Sequence, residues 1–337
     1  MSNSRKEPRN EGLSTGKLRE LSRAFQGSRV FLTAYELDIF SALGDEEKTS
    51  EEVASDIGAD PRGVDRLLNA LCALELVTKS NGKYGNSPLA EQALVKGKPG
   101  YQSGLMHTVH LWESWSTLTG AVRHGGTVMQ RPTNERGREW LVAFIAAMHA
   151  RAALEAPFVV GKIDLAGVSR VLDVGGGSGA FSMAFVRAGD NLEATVFDLP
   201  NVVPLTQGYI DQEGLAEKIL TVPGNFNKDE LGTGFDLAFL SAIVHGNSYK
   251  QNQNLIQKVS RALNPGGRVV ISDFIMDDSR VQPVFGTFFA LNMLVGTPGG
   301  DTYTESEIKE WIEEAGMTFI ERKDLGRGAG LMTGRKE

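Results

Sequence analysis

RVLDVGGGSGA, residues Arg170 to Ala180, is the stretch on which the reading of this chain turns. Arg170 to Val174 is a short apolar run broken only by Asp173, as expected of a buried strand, and a helix is predicted from Ala180. Glycines at 175, 177 and 179 let the backbone turn tightly and come close to a ligand, with the amides of a helix N-terminus beyond them. Gly175, Gly177 and Ala180 also satisfy a dinucleotide fingerprint, so a nicotinamide-dependent oxidoreductase is one reading. Two acids favour another. Asp173 ends the strand, where a carboxylate can meet an ammonium group but sits badly beside a pyrophosphate. Asp198 ends the next strand, where it can grip both hydroxyls of a ribose.

Downstream, short apolar strands are predicted at Ala194 to Asp198, Ile219 to Val222, Asp236 to Leu240 and Arg268 to Ser272, with helical segments between them. This alternation is that of an α/β protein whose doubly wound, mostly parallel sheet is covered on both faces. Ligands of such sheets lie at the carboxyl ends of the strands.

Upstream, Leu18, Leu21, Phe25, Val30, Ala34, Leu37 and Phe40 predict one or two amphipathic helices over residues 17 to 43, stopped by Gly44. Thr49 with Glu52 is a capping box for a short helix that Gly58 ends. Asp60-Pro61 starts another, with Val64, Leu67, Leu68, Leu71 and Leu74 on one face. Leu76 to Tyr84 reads as two strands about an Asn81-Gly82 turn. Helix, turn, helix and hairpin make a winged helix, which raises DNA binding. From Thr49 to Tyr84, however, six acids (Glu51, Glu52, Asp56, Asp60, Asp65, Glu75) against four bases (Arg62, Arg66, Lys79, Lys83) leave a charge of −2, the wrong sign for phosphates. A dimerisation module is the preferred reading. Residues 100 to 163 are expected to be helical, with Trp112, Trp115 and Leu118 on one stripe and Trp140, Phe144, Ala147 and Met148 on another.

The whole chain of 337 residues carries a net charge of −7, which argues against a nucleic-acid partner, and its length predicts about two domains. Cys72, the single cysteine, excludes an internal disulfide and is expected in the core beside Leu71. The polar N-terminus has no apolar segment of a signal peptide, and Leu141 to Met148 is followed by His149, Arg151 and Glu155, short of a membrane span. A cytoplasmic protein without a membrane partner is expected.

The run from Val171 to Gly179, Phe197-Asp198-Leu199-Pro200, His245 and Asn264-Pro-Gly-Gly267 together resemble the S-adenosylmethionine-dependent O-methyltransferases of the caffeate, hydroxyindole and antibiotic type. The resemblance covers nearly the whole chain. It implies a Rossmann-like class I methyltransferase fold preceded by a winged-helix dimerisation domain, and a homodimer formed through that domain. The expected boundaries are a disordered tail (1–16), the winged helix (17–100), a helical connector lining the acceptor pocket (101–163) and the catalytic domain (164–337).

The resemblance also implies a cofactor, S-adenosylmethionine, and a set of residues to hold it. Asp173, Gly175 and Gly177 would lie near its methionine part, Asp198 and Leu199 near its ribose, and Asn225 and Phe226 beside its adenine. Asn225 stands where family members usually have aspartate, and its carbonyl can still accept from the adenine amino group. Ser241 falls where plant members have lysine. His245 matches the general base. A phenol of pKa near ~10 is a poor nucleophile at neutral pH, and an imidazole near ~6.5 can take its proton during attack.

Asp273 and Asp301 match two carboxylates around that histidine that are glutamates in the plant enzymes. Gly246-Asn247 replaces the Asp-Trp that follows the plant histidine, which keeps carbon or nitrogen methylation, or a non-methylating reaction, open as alternatives. Phe144 and Met148 on the connector, and Phe289, Asn292 and Met293 on a predicted helix, are expected to face a flat, apolar aromatic or polyketide-like acceptor. His107, His110, His124 and His149 are read as surface or pocket-lining residues, and no metal is expected.

Overall fold

The computed structural model describes residues 14–129, 137–326 and 328–337. Most of the expected tail, residues 1–13, lies outside the described residues. The chain divides into two units between His110 and Leu111.

The first unit contains α1 (Thr15–Glu36), α2 (Ile39–Leu43), α3 (Ser50–Ile57), α4 (Pro61–Ala73), the hairpin β1 (Val77–Ser80) and β2 (Lys83–Asn86), α5 (Pro88–Leu94) and the start of α6 (Leu105–Trp115). Helix α1 begins two residues ahead of the expected boundary, because Ser14 caps it through a bond from the Lys17 amide. The capping box of Thr49 and Glu52 forms, Asp60 accepts from the Gly63 amide ahead of Pro61, and Asn81 and Gly82 turn with φ of 48° and 78°.

Val64, Leu68 and Leu71 are buried in α4. Leu74 is not, since it is the cap residue beyond the last turn. Cys72 is half-buried rather than in the core: one step of about 100° past Leu71 turns it off the buried face. Leu18, Leu21 and Phe25 leave an exposed apolar face on α1.

The second unit continues with α7 (Leu118–His124), α8 (Arg138–Val160), β3 (Arg170–Val174), α9 (Ala180–Ala188), β4 (Glu193–Asp198), α10 (Val203–Gln212), β5 (Ile219–Pro223) and β6 (Phe235–Ser241). After these come α11 (Tyr249–Ala262), β7 (Leu263–Met276), α12 (Val284–Gly296), β8 (Tyr303–Thr304), α13 (Glu305–Glu314), β9 (Met317–Gly326) and β10 (Ala329–Lys336). The main sheet runs β5-β4-β3-β6-β7-β10-β9, with β8 beside β7. Strands β3 to β7 are parallel neighbours, whereas β10 is antiparallel to both β7 and β9. The hairpin of β9 and β10 closes an edge that the pattern of parallel strands did not foretell.

Alternation sorts the strand residues between two cores. Leu172, Val174, Ala238 and Leu240 pack with Ile256 and Val259 of α11 and Trp311 of α13. Val171, Val196, Leu237 and Phe239 pack with Val159 of α8, Phe185 of α9 and Ile210 of α10. The strand order reverses at β3 and β6, so a crevice opens at their carboxyl ends.

Within 100–163 the helices are separate, since Gly125 ends α7 in the left-handed region (φ 83°). Helix α8 is longer and more apolar than Leu141 to Met148 implies. Its segment Trp140–Val160 is long and apolar enough to cross a membrane by length and composition. It nevertheless carries an Arg151–Glu155 ion pair of 3.1 Å, and its Val159 and Val160 are in the core with α9.

Candidate active site

The glycine loop is held from below and from the side. Gly175, Gly177 and Gly179 all have positive φ (67°, 58° and 78°), a conformation that side chains resist. The Gly175 amide donates to the Phe197 carbonyl at 2.7 Å, which ties the loop to β4, and a Cβ at Gly175 would collide with Ile243. Asp198 sits at the end of β4, 8% exposed, accepting from the Gly177 amide (2.8 Å) and the Leu199 amide (2.7 Å). Burial raises its carboxyl, and the two amides oppose the rise.

Asp173 lies beneath the loop and is 1% exposed, with its Oδ2 accepting from Ser182 Oγ at 2.7 Å. Burial pushes it up to about 7, the charge of Asp198 adding to the effect and the Ser182 bond opposing it. Asn225 turns its Oδ1 to the Asn227 amide at 2.9 Å, a bond that uses one lone pair of the carbonyl expected to face adenine. Phe226 is half-buried against the core, and its ring borders Gly175. Ser241 is half-buried at the end of β6.

Beyond Ser241 the chain bends through Ala242, whose φ of 57° is left-handed, into a 3-10 turn, Val244–Gly246, that carries His245. Asp273, on β7, meets the imidazole. His245 Nδ1 lies 2.8 and 3.0 Å from its two oxygens, and the Phe274 amide donates to Oδ1 at 2.8 Å. A carboxylate can only accept here, so the neutral-ring tautomer that bonds Asp273 is the one with its proton on Nδ1, which leaves Nε2 as the acceptor nitrogen. Phe289 of α12 meets the imidazole edge-on, with centroids 4.8 Å apart.

The structure does not bring Asp301 to the ring. Its Oδ2 pairs with Arg280 Nη1 at 3.3 Å and its Oδ1 accepts from the Thr302 amide; only its own amide reaches this turn, donating to the His245 carbonyl. Arg280, which also pairs with Glu307, draws the carboxylate away.

The expected acceptor residues fall on two helices. Phe289, Asn292 and Met293 lie on α12, with Phe289 inside a ring cluster that includes Phe274 and Phe285. Asn292 Oδ1 accepts from Trp115 Nε1 at 2.9 Å, which fixes its amide. Phe144 and Met148 are half-buried on α8, the former stacked on Trp140.

Three features escaped the sequence. His149 is half-buried and lines a cavity between α8 and α9, as one of its two expected readings had it, but its partners were not foreseen: its Nδ1 lies 2.9 Å from Ser178 Oγ and its ring stacks on Tyr209. Asn247 and Asn252 form a buried amide chain in which Asn252 Nδ2 donates to the Val244 carbonyl, bracing the histidine turn. Arg280 was unmarked by any motif. Among the described residues no group of three or more His, Cys, Asp or Glu could hold a metal ion.

Sheet order, glycine loop and acid-ended strands define a class I methyltransferase fold. Residues 115–318 match the family model of the O-methyltransferase domain and residues 19–96 that of the O-methyltransferase dimerisation domain, so the chain belongs to the O-methyltransferase family. It is 32% identical to the 3-hydroxy-5-methyl-1-naphthoate 3-O-methyltransferase of Streptomyces sahachiroi, over 90% of this chain and 89% of that protein. It is 31% identical to the tetracenomycin polyketide synthesis 8-O-methyl transferase of Streptomyces glaucescens, over 95% and 96%. The solved human N-acetylserotonin methyltransferase, in complex with S-adenosylmethionine, superposes with a TM-score of 0.81 at 26% identity, covering 98% of this chain and 99% of that one.

Proposed function

We propose that this enzyme moves a methyl group from S-adenosylmethionine to a hydroxyl of a small aromatic or polyketide-like acceptor, with His245 as the base. The observation that carries the reading is the His245–Asp273 pair, set at the carboxyl edge of the sheet against Phe289. The names of the naphthoate and tetracenomycin relatives support the acceptor class.

The residues present fit the cofactor. Asp198 ends its strand beside the loop, the Gly175 position admits no side chain, and Phe226 and Ile243 supply apolar surface next to it. When bound, the sulfonium supplies an activated methyl whose leaving group is a neutral thioether. The chain's own part is to orient the acceptor and take its proton. Nε2 of His245 accepts that proton as the hydroxyl oxygen attacks, and Asp273 stabilises the imidazolium so formed. Phe289 covers one side of the imidazole edge-on. Asn247 hydrogen-bonds Asn252 and Asn227, which supports a structural part for the residue after the histidine turn.

A homodimer formed through α1, and a cytoplasmic location, belong to the same reading. The test is calorimetric titration of S-adenosylhomocysteine into wild type, Asp198→Ala and His245→Ala, followed by rates on a panel of naphthols and phenols. The expected result is binding by wild type and His245→Ala but not by Asp198→Ala, with His245→Ala slower by roughly 10²- to 10⁴-fold. No binding by folded wild type would overturn the reading.

A further inference from the structure

The loop from Gly175 to Gly179 contains one side chain, Ser178, among glycines that have lost unusual conformational freedom. That side chain is 4% exposed and points at α8, where His149 Nδ1 meets its Oγ at 2.9 Å. The imidazole is fixed in turn by Tyr209 of α10, its ring stacked 4.0 Å away at 21°. One turn earlier on the same face of α8, Ile145 is buried, with its Cδ1 4.0 Å from where a Cβ of Gly177 would stand. Gly177 is the residue whose amide holds Asp198. Helix α8 thus faces the loop at two successive turns, and His149 makes the polar contact. Burial holds its imidazole below the usual range, so near neutral pH a neutral ring meets the hydroxyl.

We infer that His149 is a positioning residue for the cofactor loop: with its ring braced on Tyr209 of α10 it ties Ser178 to α8, and so holds the Gly177 amide and Asp198 in the geometry that S-adenosylmethionine requires. This rests on the reading under Proposed function. Without that tie the loop has more backbone states to lose on binding, so affinity falls while the fold persists.

The probe is S-adenosylhomocysteine, titrated calorimetrically into wild type, His149→Phe, His149→Asn, Ser178→Ala and the His149→Phe/Ser178→Ala double variant, with the melting temperature of each recorded. His149→Phe keeps a ring for Tyr209 and loses the hydrogen bond. His149→Asn restores a polar atom near the place of Nδ1. The expected result is a dissociation constant about tenfold weaker for His149→Phe and for Ser178→Ala, the size of one lost hydrogen bond. The double variant should be no weaker than either single one, His149→Asn should bind more tightly than His149→Phe, and melting temperatures should stay close to wild type. Wild-type affinity in His149→Phe and Ser178→Ala, or strictly additive losses, would overturn the inference alone. A folded wild type that binds no S-adenosylhomocysteine would overturn the parent reading and this inference with it.

Discussion

Replacing Asp173 with asparagine should make the cofactor-free protein more stable, and increasingly so as pH rises. The carboxyl is 1% exposed, and burial pushes it from 3.8 to about 7. A shift of about three units corresponds to ~4 kcal/mol at ~1.36 kcal/mol per unit. A group whose folded pKa lies above its unfolded one holds more protons when folded. Its contribution is therefore whole below pH 3.8 and is lost as pH climbs through about 7. Asparagine has nearly the same shape, can still accept from Ser182, and has no charge to bury. The variant should exceed wild type by about 2 kcal/mol at pH 5 and by about 4 kcal/mol at pH 8.

Urea unfolding followed by tryptophan fluorescence is the assay. All four tryptophans, Trp112, Trp115, Trp140 and Trp311, belong to the second unit, so the signal reports the unit that contains Asp173. The same substitution should weaken S-adenosylhomocysteine binding, because an ammonium group pairs with the ionised form. Wild-type affinity should accordingly tighten as pH rises toward about 7, with a proton released on binding below it. A stability difference that is flat between pH 5 and 8, or an Asp173→Asn variant that is less stable at pH 8, would refute the reasoning.

Asp301→Ala should keep activity within about threefold of wild type, since its carboxylate serves Arg280; Asp273→Asn should lose about 10²-fold or more, because an amide can stabilise the wrong imidazole tautomer. Initial rates on one acceptor from the naphthol panel separate the two. Gly300→Ala would place a methyl against the His245 carbonyl and Thr297 Oγ1, so methyl transfer should fall by about tenfold or more while S-adenosylhomocysteine binding is retained. Leu21→Lys together with Phe25→Lys should convert a dimer to a monomer by light scattering at micromolar concentration, because both residues lie more than half exposed on α1.

What could be read from sequence was what local chemistry determines. Thr49 with Glu52, Asp60 with Pro61 and Asn81 with Gly82 each act within three residues of one another, and each forms the cap or turn expected of it. The parallel strands were legible for a related reason, since a strand buried on both faces must be apolar throughout. The hairpin of β9 and β10 was not. After the buried Met317, strand β9 alternates exposed and half-buried residues to Gly326, and such an edge resembles surface more than core. Cys72 shows the same limit within a helix, where hydrophobic neighbours in sequence are not neighbours on a face.

Around the site, sequence placed residues at strand ends but could not tell which way each would turn. Asp273 and Asp301 carry equivalent side chains near the same histidine turn, and Arg280, 21 residues before Asp301, decides between them by capturing one carboxylate. Ser178 and His149 stand 29 residues apart on elements that come together only when α8 packs on α9. A lone histidine on an apolar helix gives no warning of that meeting. On the reading proposed above, the motif residues supply the chemistry, and partners outside any motif, Arg280 for Asp301 and His149 for Ser178, set where those side chains turn.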